Sequence, residues 1–244
     1  MLNSVFITLP GKYSIQRRME AITNNLANAS TAGYKSSRPS FQMASDETET
    51  QGNASITLPH TTLGDIDTHV YFGEGSMIET DNRLDVAIQG SGFFAIKGRS
   101  GETLYTRNGQ FSLDPNKRLV TMDGNAVIGQ TGGDIILDGK EIMVAEDGAI
   151  YVDRQQAGQL KIVDFKDKSS LRNQGKSSFI NTNPAAEETV PVKMTVRSGY
   201  YEASNVNVMT EMVDMMTAMR AFESYSKVDQ ALGDVMAKLL DVVK

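Results

Sequence analysis

Few side chains in this sequence are spaced to make or break a bond. GSGFFA, Gly90 to Ala95, has the G-x-G-x-x-A spacing of a dinucleotide turn, a chemistry that needs a helix to start just beyond the glycines so that its N-terminus faces a pyrophosphate. FFAIKG alternates like a strand instead, so no cofactor is expected. His60 and His69 have no third ligand at metal spacing. Asp65/Asp67 and Glu187/Glu188 are carboxylate pairs of the kind a hydrolase uses. Nothing around them predicts the walls that shift a catalytic pKa, and loop charge is the simpler reading. No G-x-S-x-G elbow frames a serine. The expectation is no catalytic, cofactor-binding or metal-binding residue, and no enzyme.

The other concentrated chemistry is amide. ITNNLANASTAGYK, Ile22 to Lys35, sets Asn24, Asn25 and Asn28 at the end of an amphipathic helix that Gly33 stops. Ile15, Met19, Ile22 and Leu26 draw one narrow apolar stripe on that helix. With this stripe as the front, 100° per residue puts Asn24 at the back, Asn25 on a flank and Asn28 behind that flank. A solvated face is one reading. The other is a second interface, in which the amides bond to another subunit and Ala21, Ala27 and Ala29 let its backbone come close.

These helices must be placed by the rest of the chain. Its 244 residues can bury a sizeable core. There is no cysteine, which excludes disulfides and zinc-thiolate sites. The net charge of -6 and the lack of a Lys/Arg block argue against nucleic acid. No apolar run approaches the roughly 20 residues of a spanning helix, so membrane insertion is not expected. MLNSVFITLPGKYSIQRR lacks the basic start and unbroken apolar segment of an ordinary cleavable secretory signal.

Along the chain the texture changes. Residues 36–70 are rich in Ser, Thr, Asp and Glu, and such a segment orders only against something else. From about Tyr71 to Gly199 short runs such as LDVAIQ, FFAIK, AIYV and LKIVDF read as strands. Asn108-Gly109, Asp123-Gly124, Asp138-Gly139 and Asp147-Gly148 between several of them suit tight hairpins. The last 40 residues place Met209, Met212, Met216, Met219, Phe222, Tyr225, Val228, Leu232, Val235, Leu239 and Val242 mostly three and four apart, a long helix with a heptad-like seam. Asn205 or Asn207 would cap it. Residues 1–35 hold four basic side chains and one acidic; residues 200–244 hold seven acidic and four basic. The two ends are complementary in charge and in apolar stripe.

The expected fold is therefore α+β. An N-terminal helix in 1–35 pairs as a coiled coil with a C-terminal helix in 201–244. Between them lie an extended polar linker at 36–70 and a central antiparallel β domain at 71–200 with a curled or barrel-like sheet.

NNLANASTAGYK resembles the N-terminal motif of the bacterial flagellar axial proteins of the rod and hook. YEASNVNVMTEMVDMMTAMRAFESYSK resembles their closing motif. EGSMIETDNRLDVAIQGSGFFAIKG and LYTRNGQFSLDPNKRLVTMDG resemble the β-domain signature of the rod members. The likeness leaves out only the polar linker and about 169–188, and the length suits a rod member rather than a hook member. The resemblance implies a structural subunit of the basal-body rod, exported through the flagellar type III apparatus without a cleavable signal. Such subunits stack with their own copies and other rod proteins into a helical tube that carries torque across the periplasm. It also implies an assembly interface at Asn24, Asn25, Leu26, Asn28, Gly33, Tyr34, Ser204, Asn205, Asn207, Met212 and Met216. The reading from another class is a secreted β-domain hydrolase or carbohydrate-binding protein with helical oligomerisation arms.

Overall fold

The computed structural model describes residues 3–44, 62–183 and 185–242. Helix α1 spans Asn3–Ala27. In chain order, the strands start with β1 Ser37–Ala44, β2 Thr62–Val70, β3 Met77–Glu79, β4 Val86–Gly90, β5 Phe93–Lys97, β6 Thr103–Thr106, β7 Phe111–Leu113, β8 Leu119–Thr121 and β9 Ala126–Val127. They continue with β10 Ile142–Val144, β11 Ala149–Val152, β12 Gln155–Gln159, β13 Ile162–Phe165, β14 Leu171–Asn173, β15 Ser178–Asn181, β16 Glu188–Thr189, β17 Met194–Ser198 and β18 Tyr200–Glu202, before helix α2 at Val208–Val242. The chain is α+β, and it divides into two compact units. One holds residues 1–26, 37–69 and 208–244; the other holds 27–36 and 70–207.

In the first unit, α1 and α2 run antiparallel. Lys12 Nζ lies 3.4 Å from an Asp229 oxygen, and Arg18 Nη2 lies 3.3 Å from Asp214 Oδ1. The Lys12 ammonium also sits over the Phe222 ring. At Gly11 an added Cβ would come within 2.7 Å of the Tyr225 ring, so the missing side chain permits a close approach. The complementary charge of the two ends is thus realised in part as ion pairs between these helices. The polar segment of 36–70 supplies more than a linker: β1 and β2 pair as a two-stranded sheet. Asp65 and Asp67 belong to β2, and His60 lies outside the described residues.

Among the described residues, the strand pairs of the second unit are all antiparallel. Its largest sheet runs β14-β15-β6-β5-β9-β8-β7, with β13 on β5 and β16 on β13. The order is a path with ends, so the expected barrel-like closure is corrected to an open sheet. Strand β5 lies at its centre: β6 covers one edge, while β13 and β9 share the other. Its two faces feed two cores. Phe94 and Ile96 pack with Val86, Ile88, Phe111 and Ile150. Phe93 packs with Tyr105, Phe165 and Phe179. The alternation expected of FFAIKG is corrected here: a strand buried on both faces is apolar without alternation, and FFAI is continuous. The aromatic rings meet edge to face, Phe72 against Phe93 at 5.4 Å and Tyr105 against Phe165 at 4.9 Å.

Two of the four expected hairpin dipeptides do serve as tight turns. Gly124 and Gly148 both have φ +83° and close β8–β9 and β10–β11. Asn108-Gly109 and Asp138-Gly139 answer to space instead: a Cβ on Gly109 would lie 1.6 Å from the Val86 carbonyl oxygen, and one on Gly139 would lie 2.1 Å from Val152 Cγ1. The stretch 169–188 adds β14 and β15 to the main sheet, with Phe179 fully buried.

Candidate assembly site

The three amides at the end of α1 have three different uses. Asn24 is exposed. Asn25 is 2% exposed, and its side chain serves Ser37 as a strand partner would: Oδ1 accepts the Ser37 N–H at 2.9 Å and Nδ2 donates to the Ser37 carbonyl at 3.0 Å. Its Nδ2 also reaches Glu211 Oε1 at 3.3 Å, in the first turn of α2. Asn25 thus stands on the flank expected from helical rotation, and β1 starts against that flank and covers it within the chain. Asn28 stands in the turn after the helix, where its Oδ1 and carbonyl accept from the Thr31 hydroxyl and N–H. Leu26 is half-buried.

The residues that follow α1 and those that precede α2 are joined inside the second unit by a buried ion cluster. Glu202 Oε1 accepts from Lys35 Nζ at 2.5 Å and from the Gly75 N–H at 2.8 Å, and Oε2 accepts from Arg107 Nη1 at 3.3 Å. Lys35 also donates to the Gly73 carbonyl, and Arg107 to the carbonyls of Ile88 and Gly90. All three side chains are at most 4% exposed. Burial holds the Lys35 ammonium below its ordinary range, and the Glu202 charge opposes that shift. Gly33, at φ +67°, donates its N–H to the Glu202 carbonyl; a Cβ there would lie 2.2 Å from Asn108 N. Tyr34 is buried. Asn205 accepts the Ser36 N–H at 2.7 Å and donates to the carbonyls of Tyr71 and Gly73. It therefore does not cap α2, which begins directly after Asn207. Ser204 Oγ accepts the Val206 N–H.

Helix α2 has one covered stripe and one bare one. Glu211, Met215, Ala218, Phe222, Tyr225, Asp229 and Leu232, spaced four and three apart, are buried or half-buried. The methionines expected in the seam lie outside that stripe: Met209 is 73% exposed and Met216 53%, and Met212, Met219, Val228 and Val235 are about half exposed. Of the seam residues expected on α2, Phe222, Tyr225 and Leu232 lie in the covered stripe, whereas Met209, Met212, Met216, Met219, Val228 and Val235 lie outside it among the described residues. On α1, Ile15, Met19, Ile22 and Leu26 are all buried or half-buried. The side chain of Leu239 lies outside the described ones. Sequence reasoning passed over Glu211, Ala218 and Asp229 because polar and small residues do not register in an apolar period. It also missed Lys35, Arg107 and Glu202; their opposite charges were visible, but not their convergence.

GSGFFA runs through Gly90 and Gly92, at φ +99° and +127°, into strand β5 rather than a helix. His69 is exposed. Glu188 accepts from the Tyr105 hydroxyl at 2.7 Å and pairs with Lys161 at 2.6 Å. Burial pushes the Glu188 carboxyl up, and Lys161 and Tyr105 together outweigh it, leaving it below the usual carboxylate range. Among the described residues no group of three or more His, Asp or Glu is placed to hold a metal ion, and no helix is long and apolar enough to cross a membrane.

Helix α2 thus leaves one apolar face bare, and the related proteins are named for the flagellar rod. Family profiles match three segments: "Flagella basal body rod protein" at residues 15–35, "Flagellar hook protein FlgE/F/G D1 domain" at 87–152 and "Flagellar basal body rod FlgEFG protein C-terminal" at 197–242. The flagellar basal-body rod protein FlgG of Buchnera aphidicola subsp. Acyrthosiphon pisum is 34% identical over 98% of this chain and 99% of its own length. FlgG of Bacillus subtilis is 31% identical over 99% of each. FlgF of Caulobacter vibrioides is 29% identical over 93% of this chain and 92% of its own. The chain belongs to the flagellar basal-body rod protein family, whose members are structural rather than catalytic.

Proposed function

We propose that this chain assembles through its terminal helices, with copies of itself and with other rod proteins, into the helical tube that transmits torque across the periplasm. The observation that carries the reading is the second, bare apolar stripe of α2, on a helix whose other stripe is already covered within the chain. In the assembly, α1 and α2 pack as a coiled coil, and the methionine stripe meets neighbouring subunits. Asn24, Asn207, Met212 and Met216 reach those neighbours. Asn25, Leu26, Asn28, Gly33, Tyr34, Ser204 and Asn205 act by fixing the chain on either side of the helices. The working partition is 1–35 and 201–244 for the inner layer, 36–70 for the linker and 71–200 for the outer β domain. The subunit reaches its place through the flagellar type III export apparatus.

As to subtype, we favour the proximal rod protein FlgF. The closing ESYSKVDQALGDVMAKL resembles that subtype. The alignment with the Bacillus FlgG spans 265 positions, more than the 244 residues of this chain, and so opens gaps in it, whereas the alignment with the Caulobacter FlgF spans 229. The higher identity to FlgG supports the second reading, the distal rod protein. Deleting the gene and isolating basal bodies tests both levels. The expected result is a rod that stops short, restored by the wild-type chain, with the distal member absent from the truncated rod. A truncated rod that retains proximal members would favour FlgG, and complete rods in the deletion strain would overturn the rod reading.

A further inference from the structure

The bare stripe of α2 is also the chain's most concentrated sulfur. The chain has thirteen methionines and no cysteine, so thioethers are its sole sulfur groups. Five of them, Met209, Met212, Met215, Met216 and Met219, fall within eleven residues; four of these are exposed, while Met215 lies in the covered stripe. Two further exposed methionines, Met122 at 72% and Met143 at 57%, lie in the other unit, on short strands or turns of the β domain. Exposure is what makes a thioether oxidisable, and the conversion replaces an apolar, flexible group by a polar one that is costly to bury.

Resting on the assembly reading above, we infer that Met209, Met212, Met216 and Met219 form an oxidation site that governs assembly: sulfoxide on this stripe withholds the free subunit from the tube, and packing into the tube shields the thioethers. The oxidant is of the peroxide class. A sulfur lone pair attacks one peroxide oxygen, a sulfur–oxygen bond forms and the O–O bond breaks. Sulfur gives up two electrons, and the departing oxygen takes a proton to leave as water. A sulfoxide oxygen buried without a donor should weaken each subunit contact about tenfold. Methionine sulfoxide reductases reverse the reaction, so the block is removable.

The test is limited treatment of the full-length free subunit with hydrogen peroxide, followed by assembly, sedimentation and peptide mass mapping of the incorporated and unincorporated fractions. The expected result is sulfoxide at Met209, Met212, Met216 or Met219 enriched in the unincorporated fraction. Sulfoxide at Met122 and Met143 should divide evenly, and reductase treatment should return the unincorporated fraction to competence. Equal α2 sulfoxide in both fractions would overturn the inference. An untreated Met209→Gln/Met212→Gln/Met216→Gln/Met219→Gln variant separates the two levels. If it assembles as wild type does, the assembly reading of this face fails. If it does not assemble while peroxide leaves wild-type assembly unchanged, only the oxidation inference fails.

Discussion

Gly33 meets two demands at once, a positive φ and a backbone neighbour 2.2 Å from where its Cβ would stand. Gly33→Ala should therefore cost about 2–4 kcal/mol in chemical denaturation, more than the conformational term alone would give. The ion cluster beside it holds two cations against one carboxylate, and this imbalance orders the effects of substitution. Glu202→Gln strands two buried positive charges and should cost about 3–5 kcal/mol. Lys35→Met leaves Arg107 to balance Glu202 and should cost distinctly less; equal losses would contradict the cluster as described. The pH dependence has a definite sign. Burial keeps Lys35 in the folded chain below its ordinary value of 10.5, so the unfolded chain binds the extra proton in the window between the two. Stability then rises with pH across that window. Urea titrations at stepped alkaline pH should show wild type gaining on Lys35→Met as pH rises toward about 10.5, and no gain would contradict the buried ammonium.

At the scale of elements, Asn25 joins α1 to β1 by pairing with both backbone groups of Ser37. Asn25→Ala leaves those groups buried without partners and should cost about 2–4 kcal/mol, read from thermal unfolding of the full chain. Strand β16 is held to the sheet by Glu188 on Tyr105 and Lys161. Because the folded pKa of Glu188 is depressed, its contribution is present above about pH 4.5 and is lost as pH falls through the folded value. The stability difference between wild type and Glu188→Gln should shrink across that acid range, and a difference constant with pH would rule out the pairing. These elements differ in how much of them the sequence disclosed. FFAIK was readable because burial on both faces demands an apolar run, and AIYV because β-branched and aromatic residues dominate it. Strands β14 and β15 were not, since LRN takes its order from pairing with SFIN, and SFIN from pairing with β6. On α2, apolar spacing picked out the methionines, which recur at intervals of three and four. The covered face uses Glu211, Ala218 and Asp229, whose roles are charge and close approach.

At the scale of the whole molecule, the chain passes between its two units four times, and charge is matched inside each. Of the four basic side chains in residues 1–35, Lys12, Arg18 and Lys35 pair with Asp229, Asp214 and Glu202 from the C-terminal stretch. The sign complementarity of the two ends was legible from composition, but which charges meet was not, because pairing depends on three-dimensional register. Within the first unit, these pairings leave the methionine stripe of α2 exposed among the described residues. The absence of cysteine makes that face directly measurable. A Met216→Cys chain carries one thiol, and its rate of labelling by a maleimide can be compared between the free subunit and basal bodies isolated from cells. Fast labelling of the free subunit and strong protection in the basal body is the predicted result. Equal labelling in the two states would contradict assembly through this face.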